Sequence, residues 1–210
     1  IREMVENTYV NGYLNNLSIK WSGSIESLQE HWELGSLPNQ WGFFRQQVRP
    51  HLKKGERVFV VISDALRFEA ARELARHFNS ERKVSAELIT MQGVLPSCTS
   101  LGMACLLPYQ HIEISDVYSV SVDGVSSEGL ENRNKILNQQ VQKSIALRYK
   151  DLVDLKRDEF RKLTSGKDLI YIYHNSIDAR GDHYPAESEV FDAVGEALVQ
   201  LSSLVTRLVN

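Results

Sequence analysis

Two short segments constrain this chain more than anything else in it. Val58-Phe59-Val60-Val61-Ile62 and Leu169-Ile170-Tyr171-Ile172-Tyr173 are unbroken runs of β-branched, aliphatic and aromatic residues. Such runs predict strands, and the lack of polar alternation means that both faces must be covered, as in a parallel sheet between helices. Between and after them the apolar spacing takes the helical period. Leu66, Ala70, Leu74 and Phe78 share one face of a helix predicted over 65–78, and Val194, Leu198, Leu201, Val205 and Leu208 one over 190–209. Further strands are predicted at 84–90 and 117–122. A short apolar helix begins near Thr99 and is ended by Pro108, and polar helices are expected over 132–149 and 152–163. Strands alternating with helices give βαβ units. The expected fold is therefore α/β: a three-layer α/β/α sandwich with a mostly parallel sheet, occupying residues 56–210.

Residues 1–55 read differently. Val5, Tyr9, Tyr13 and Leu17 recur at four-residue steps, and Trp21, Trp32, Trp41, Phe43 and Phe44 follow, with a helix predicted over 39–52 and closed by Gly55. Few Arg or Lys interleave with those rings, so the segment is expected to pack on the core and not to stack nucleic-acid bases. Charge points the same way. Across 210 residues, 24 Lys and Arg against 27 Asp and Glu leave a net charge of −3, which marks no broad basic surface. No apolar run reaches the ~18 residues that a membrane span requires. Cys98 and Cys105 fall on one predicted helix, too far apart to bridge, and a reducing, cytoplasmic setting follows. Ile1 opens directly in a helical pattern, and the chain stops at Asn210 beside an amphipathic helix; it reads as a domain excised from a longer protein.

In open parallel sheets, ligands bind beyond the carboxyl ends of the strands. Asp64 ends the first predicted strand, and the last is followed by His174-Asn175-Ser176-Ile177-Asp178-Ala179-Arg180-Gly181-Asp182-His183. Thr99 stands where a helix begins, and Ser97 is a second hydroxyl beside it. Carboxylates and imidazoles from separate strands are what a divalent cation needs, and a hydroxyl at a helix start suits attack on phosphorus. Each residue also has a structural reading. Asp64 caps a helix starting at Ala65, Thr99 is an N-cap, and His174 is a hydrogen-bonded core residue. Two Asp and two His bent around Gly181 favour a site, whereas the charges over 150–162 read as a solvated helix face.

Three blocks make a resemblance. Val58 to Glu69 with Asp64 and Arg67, Leu95 to Pro108 with Ser97 and Thr99, and Tyr173 to Asp182 with His174, Asn175 and Asp178 together resemble the PglZ family. That family lies in the alkaline phosphatase superfamily and is associated with BREX anti-phage defence. The resemblance implies a truncated alkaline phosphatase-like core and a metal-dependent phosphohydrolase, acting as a phosphodiesterase or nuclease on DNA or oligonucleotides. It implies two divalent ions, Zn²⁺ with Mn²⁺ or Co²⁺ as alternatives, and other BREX proteins as partners. Carried over, Asp64 and Thr99 bind one metal, with Thr99 the nucleophile. Asp178 with Asp182 or His183 binds the other, while His174, Asn175, Arg67 and Arg180 line the substrate. The superfamily's Asp-His-Gly segment does not occur in these 210 residues, so the domain is expected to carry about half of the metal site and to turn over little alone. A catalytically silent scaffold and a phosphomonoesterase or phosphomutase are the competing functions.

Overall fold

The structure, a computed structural model, describes residues 1–28, 32–80, 84–115, 119–181 and 187–209. In chain order, α1 (Arg2–Asn7), a π-helical stretch (Thr8–Leu14) and α2 (Asn15–Ile25) form one helical arm. A 3₁₀ turn at Gln40–Gly42 and a π-helical turn at Phe44–Val48 lead into α3 (Arg49–Lys53). Then follow β1 (Val58–Ser63), α4 (Phe68–Ser80), α5 (Thr99–Cys105) and a meander of β2 (Ile112–Ile114), β3 (Val120–Val122) and β4 (Val125–Ser126). The remainder is α6 (Gly129–Gln140), β5 (Ser144–Arg148), α7 (Arg157–Thr164), β6 (Leu169–His174), α8 (Ser176–Gly181) and α9 (Glu187–Val209).

The main sheet has the order β1-β6-β5 and is parallel throughout, with Val58 opposite Leu169, Ser63 opposite His174, and Ser144 also opposite Leu169. β6 is its middle strand, and all six of its residues are buried. Its period-two alternation divides the molecule. Leu169, Tyr171 and Tyr173 join a core with Leu101, Met103 and Ala104 of α5, Val120 and Val122 of β3, and Ile136 and Leu137 of α6. Ile170 and Ile172 point the other way, into a second core with Leu152, Phe160 of α7 and Leu204 of α9. Burying each such side chain contributes roughly 1.5–3 kcal/mol relative to exposing it. A strand polar on alternate positions would forfeit one of the two cores. Tyr171 carries one polar atom through the apolar layer and satisfies it by donating to the Leu106 carbonyl at 2.7 Å. These are the three layers expected, with helices on both faces.

Several local expectations are overturned. The helix predicted over 132–149 stops at Gln140, where Val141 turns to φ −135° and ψ 94°, and 144–148 is a strand. Ser-Ile-Ala-Leu-Arg is short enough to suit either state, and the open side of β6 decides it; Asn134 Oδ1 accepts from the Ala146 N–H at 3.0 Å. Residues 84–90 form no strand: the Asn79 side chain brackets the Ala86 backbone with two 2.8 Å hydrogen bonds, and Leu88 and Ile89 are exposed. Of the strand predicted at 117–122, Val120–Val122 pairs antiparallel with β2 and β4, while 117 and 118 lie outside the described residues. The helix predicted over 39–52 is present as one unbroken helical run from Gln40 to Lys53 that changes type along its length, from 3₁₀ through π to α, with Pro50 tolerated in the first turn of α3. Trp41, Phe43 and Phe44 pack on the core, and Val48 is buried in it. The face carrying Val5, Tyr9, Tyr13 and Leu17 does not pack there; these side chains are about half exposed, and no residue of the arm is buried.

Candidate active-site cleft

The three parallel strands end at one rim of the sheet, and there the chain forms a cleft of about 550 Å³. Asp64 enters from the end of β1. Arg148, Tyr149 and Lys150 come from the end of β5, and Tyr173 to Ser176 from the end of β6; Met103 of α5, Arg133 of α6 and Ala179 of α8 complete the lining. The parallel register brings Asp64 and His174 together, since a strand pair in register must end in register. The Asp64 N–H donates to the His174 carbonyl at 2.9 Å. Beyond it Ala65 adopts φ 60°, the left-handed region, which costs an alanine about 1–2 kcal/mol. That turn is steadied by the Ala65 N–H, which donates to Asp64 Oδ1 at 3.0 Å. Because α4 begins only at Phe68, Asp64 does not cap a helix starting at Ala65. Its half-buried carboxylate stands at the cleft instead.

His174 is 1% exposed, and both ring nitrogens are engaged. Ser63 Oγ lies 2.9 Å from Nδ1, and Gln200 Oε1 on α9 lies 2.8 Å from Nε2. Gln200 Oε1 also accepts from Ser176 Oγ at 2.8 Å, so it acts as acceptor and His174 carries its proton on Nε2. Burial pushes the His174 pKa down, against a smaller upward pull from the Gln200 hydrogen bond. The ring is thus neutral. It edges the cleft beside Tyr149, whose ring meets it edge-on at 4.8 Å, and ties β1, β6 and α9 together. Asn175, next along, is exposed and lines the cleft.

Thr99 is the first residue of α5 and not its N-cap, a position held by Cys98. It is exposed and lies outside the cleft lining, on the same helix face as Met103 one turn later, which does line it. Ser97 is exposed on the preceding turn. Asp178 is half-buried in α8, outside the lining, and Arg180 pairs with Glu196 of α9. Arg67 is exposed ahead of α4. Asp182 and His183 lie outside the described residues. Asp64, His174 and Asn175 are therefore the expected residues that meet in one cleft.

Comparison with known proteins decides the family. A model described as the BREX system PglZ alkaline phosphatase-like domain matches residues 43–210. The chain belongs to the PglZ family. An alkaline phosphatase-like protein PglZ of Bacillus cereus (strain H3081.97) is 49% identical over 211 residues, covering 100% of this chain and 25% of the relative. An alkaline phosphatase-like protein BrxZ of Escherichia coli O9:H4 (strain HS) is 40% identical over 214 residues, covering 99% of this chain and 24% of the relative. The chain thus spans about a quarter of the length of these relatives. Its parallel sheet, flanked by helices, is compatible with part of an alkaline phosphatase-like core.

This PglZ domain offers a metal ion only part of a donor set. Among the described residues, no three His, Cys, Asp or Glu side chains gather where they could hold one, and Asp64 is the one acidic residue of the cleft lining. A complete two-metal centre does not fit those residues alone. The sequence reading also missed Arg133, Arg148, Lys150 and Tyr173. Arg133 and Arg148 fall in the polar helix predicted over 132–149, and Lys150 on the charged face over 150–162 that reads as solvated. The strand 144–148 lifts Arg148 and Lys150 to the cleft. Tyr173 belongs to the predicted buried strand, and it is both a core residue and part of the cleft lining. Its hydroxyl is buried and makes no well-formed hydrogen bond among the described residues, and burial pushes its pKa up to about 12, while the nearby Arg133 guanidinium, by its charge and its reach toward the hydroxyl, pulls the other way.

Proposed function

We propose that the intact protein is a phosphohydrolase of an anti-phage defence assembly, and that this domain carries its nucleophile and a share of its metal ligands. The observation that supports this most is the meeting of three parallel strand ends at one cleft, with Asp64 among cationic side chains, where open α/β sheets bind ligands. Asp64 is the metal-ligating carboxylate of this domain. Thr99 is the nucleophile, with Ser97 as the rival hydroxyl: its Oγ forms the new bond to phosphorus as the bond to the ester oxygen breaks, the hydroxyl proton passes by way of solvent to that leaving oxygen, and water then cleaves the phosphothreonine to restore the hydroxyl. Asp178, with Asp182 or His183, contributes to a second cation site completed outside this domain. The ions are two divalent cations, Zn²⁺ foremost and Mn²⁺ or Co²⁺ as substitutes. The substrate is a phosphodiester of DNA or an oligonucleotide, other BREX proteins are the partners, and the cytoplasm is the compartment. Among the described residues, no helix is long and apolar enough to cross a membrane.

A second reading, a docking module, has its own support: the helical arm exposes Val5, Tyr9, Tyr13 and Leu17 along one face. One experiment separates the two. The full-length protein and its Thr99→Ala and Asp64→Asn variants are assayed on a phosphodiester and a phosphomonoester, each with Zn²⁺ and with EDTA. Loss of diester cleavage in both variants and in EDTA is expected. Equal rates for wild type and Thr99→Ala remove Thr99 as nucleophile, and no turnover by any form leaves the docking module.

A further inference from the structure

We infer that Arg133, Arg148 and Lys150 form a phosphate-binding rim on this cleft, which takes a polyanionic nucleic-acid strand through more than one of its phosphates. The rim assigns phosphate-holding residues to the substrate side of the phosphohydrolase reading and rests on that reading for its purpose, though not for its existence. Three cations face the cleft against the single carboxylate of Asp64. Among the described residues none of the three pairs with a carboxylate. Cations gathered this way repel one another, and the arrangement is relieved when an anion joins them.

The cations differ in depth. Arg133 is half-buried and held in place: its Nε–H donates to the Ser127 carbonyl at 2.9 Å, and its guanidinium carbon lies 4.5 Å from the centre of the Tyr173 ring. Tyr173 stays un-ionised beneath it and adds no competing negative charge. A guanidinium fixed before the ligand arrives loses little freedom on binding. Arg148 and Lys150 are exposed at the mouth and make no side-chain hydrogen bond among the described residues. One phosphate held inside by Arg133 leaves these outer two for the next phosphates of a chain emerging from the cleft. The arginine-lined cleft between α7 and α9 differs in this respect. There Arg57 spends its guanidinium on the Thr164 carbonyl, and Arg207 on those of Leu152 and Leu155, so they serve the fold.

The test measures binding without turnover. Full-length protein carrying Thr99→Ala, in EDTA, is titrated by fluorescence anisotropy with labelled oligothymidylates of about 4 and about 12 nucleotides over a range of salt. Inorganic phosphate serves as the single-phosphate competitor. The added double substitution Arg148→Ala/Lys150→Ala is expected to weaken the longer strand about tenfold or more, and to reduce the salt slope by about 1.4, two phosphate contacts at about 0.7 each. It should leave inorganic phosphate almost unaffected, whereas Arg133→Ala weakens both ligands. Both outer side chains are exposed, and a thermal melt checks that the fold is kept. Wild-type affinity and salt slope in the double variant overturn the rim, as does an equal loss for phosphate. The two readings fail separately. Rim-dependent binding with no hydrolysis by the metal-loaded wild type removes the enzyme and keeps the rim, while diester hydrolysis indifferent to the rim substitutions does the reverse.

Discussion

Replacing Gln200 by leucine tests whether His174 braces the cleft as the structure has it. Leucine keeps most of the side-chain volume and removes the Oε1 that accepts from His174 Nε2 at 2.8 Å and from Ser176 Oγ at 2.8 Å. Ser176 is half-buried and can turn to water, so its loss is small. His174 is 1% exposed and has no such recourse. A buried donor left without an acceptor costs about 1–3 kcal/mol. With a urea m-value of about 2 kcal/mol/M, the unfolding midpoint falls by roughly 0.5–1.5 M at unchanged m. The same pair predicts a pH dependence. Burial holds the folded His174 pKa below its ordinary value of 6.5. The unfolded chain therefore binds more protons than the folded one as pH falls through that value, and stability drops with it. The neutral ring's contribution is fully present above the unfolded pKa of 6.5 and is lost progressively below it. Urea titrations of this chain at about pH 7.5 and about pH 5.5 read both effects. A His174→Gln variant should lose less stability between the two pH values than wild type. A Gln200→Leu midpoint within 0.2 M of wild type, taken as roughly 0.4 kcal/mol, would refute the brace.

Two further outcomes follow from single atoms. Tyr171→Phe deletes a buried hydroxyl bonded to the Leu106 carbonyl at 2.7 Å and should destabilise by about 1–2 kcal/mol, whereas Tyr173→Phe deletes one that makes no well-formed hydrogen bond among the described residues and should cost less; paired urea melts compare them, and equal losses would contradict the assignment. The cysteines should differ in the same way. The Ser100 hydroxyl bonded to Cys98 Sγ lowers that thiol's pKa, while burial pushes Cys105 up to about 12, so a thiol reagent at neutral pH should label Cys98 in the folded chain and Cys105 only on unfolding.

Much of the fold was written in local patterns. The runs at 58–62 and 169–173 have no polar side to show to water, so they had to become covered strands, and they are β1 and the middle strand β6. Asp64 and His174 were legible for the same reason: residues at the ends of two such strands lie on one rim wherever the strands pair in parallel. The long helix α9 was likewise visible in its spacing. What failed was each place where a short segment suits two states. Ser144–Arg148 became a strand because β6 had an open side. Residues 84–90 have comparable β character and stayed unpaired, their backbone engaged at Ala86 by Asn79.

The sequence by itself determined the layers, the two buried strands, and the carboxylate and imidazole at their ends, because hydrophobic periodicity is a local property and burial follows from it. Only the tertiary structure decided which side chains those ends would meet. Arg133 and Lys150 are seventeen positions apart in the chain and share one cleft, and Gln200 reaches His174 across twenty-six. A hydrogen bond or an electric field acts through space, and no spacing along the chain records which distant groups folding will bring within its range.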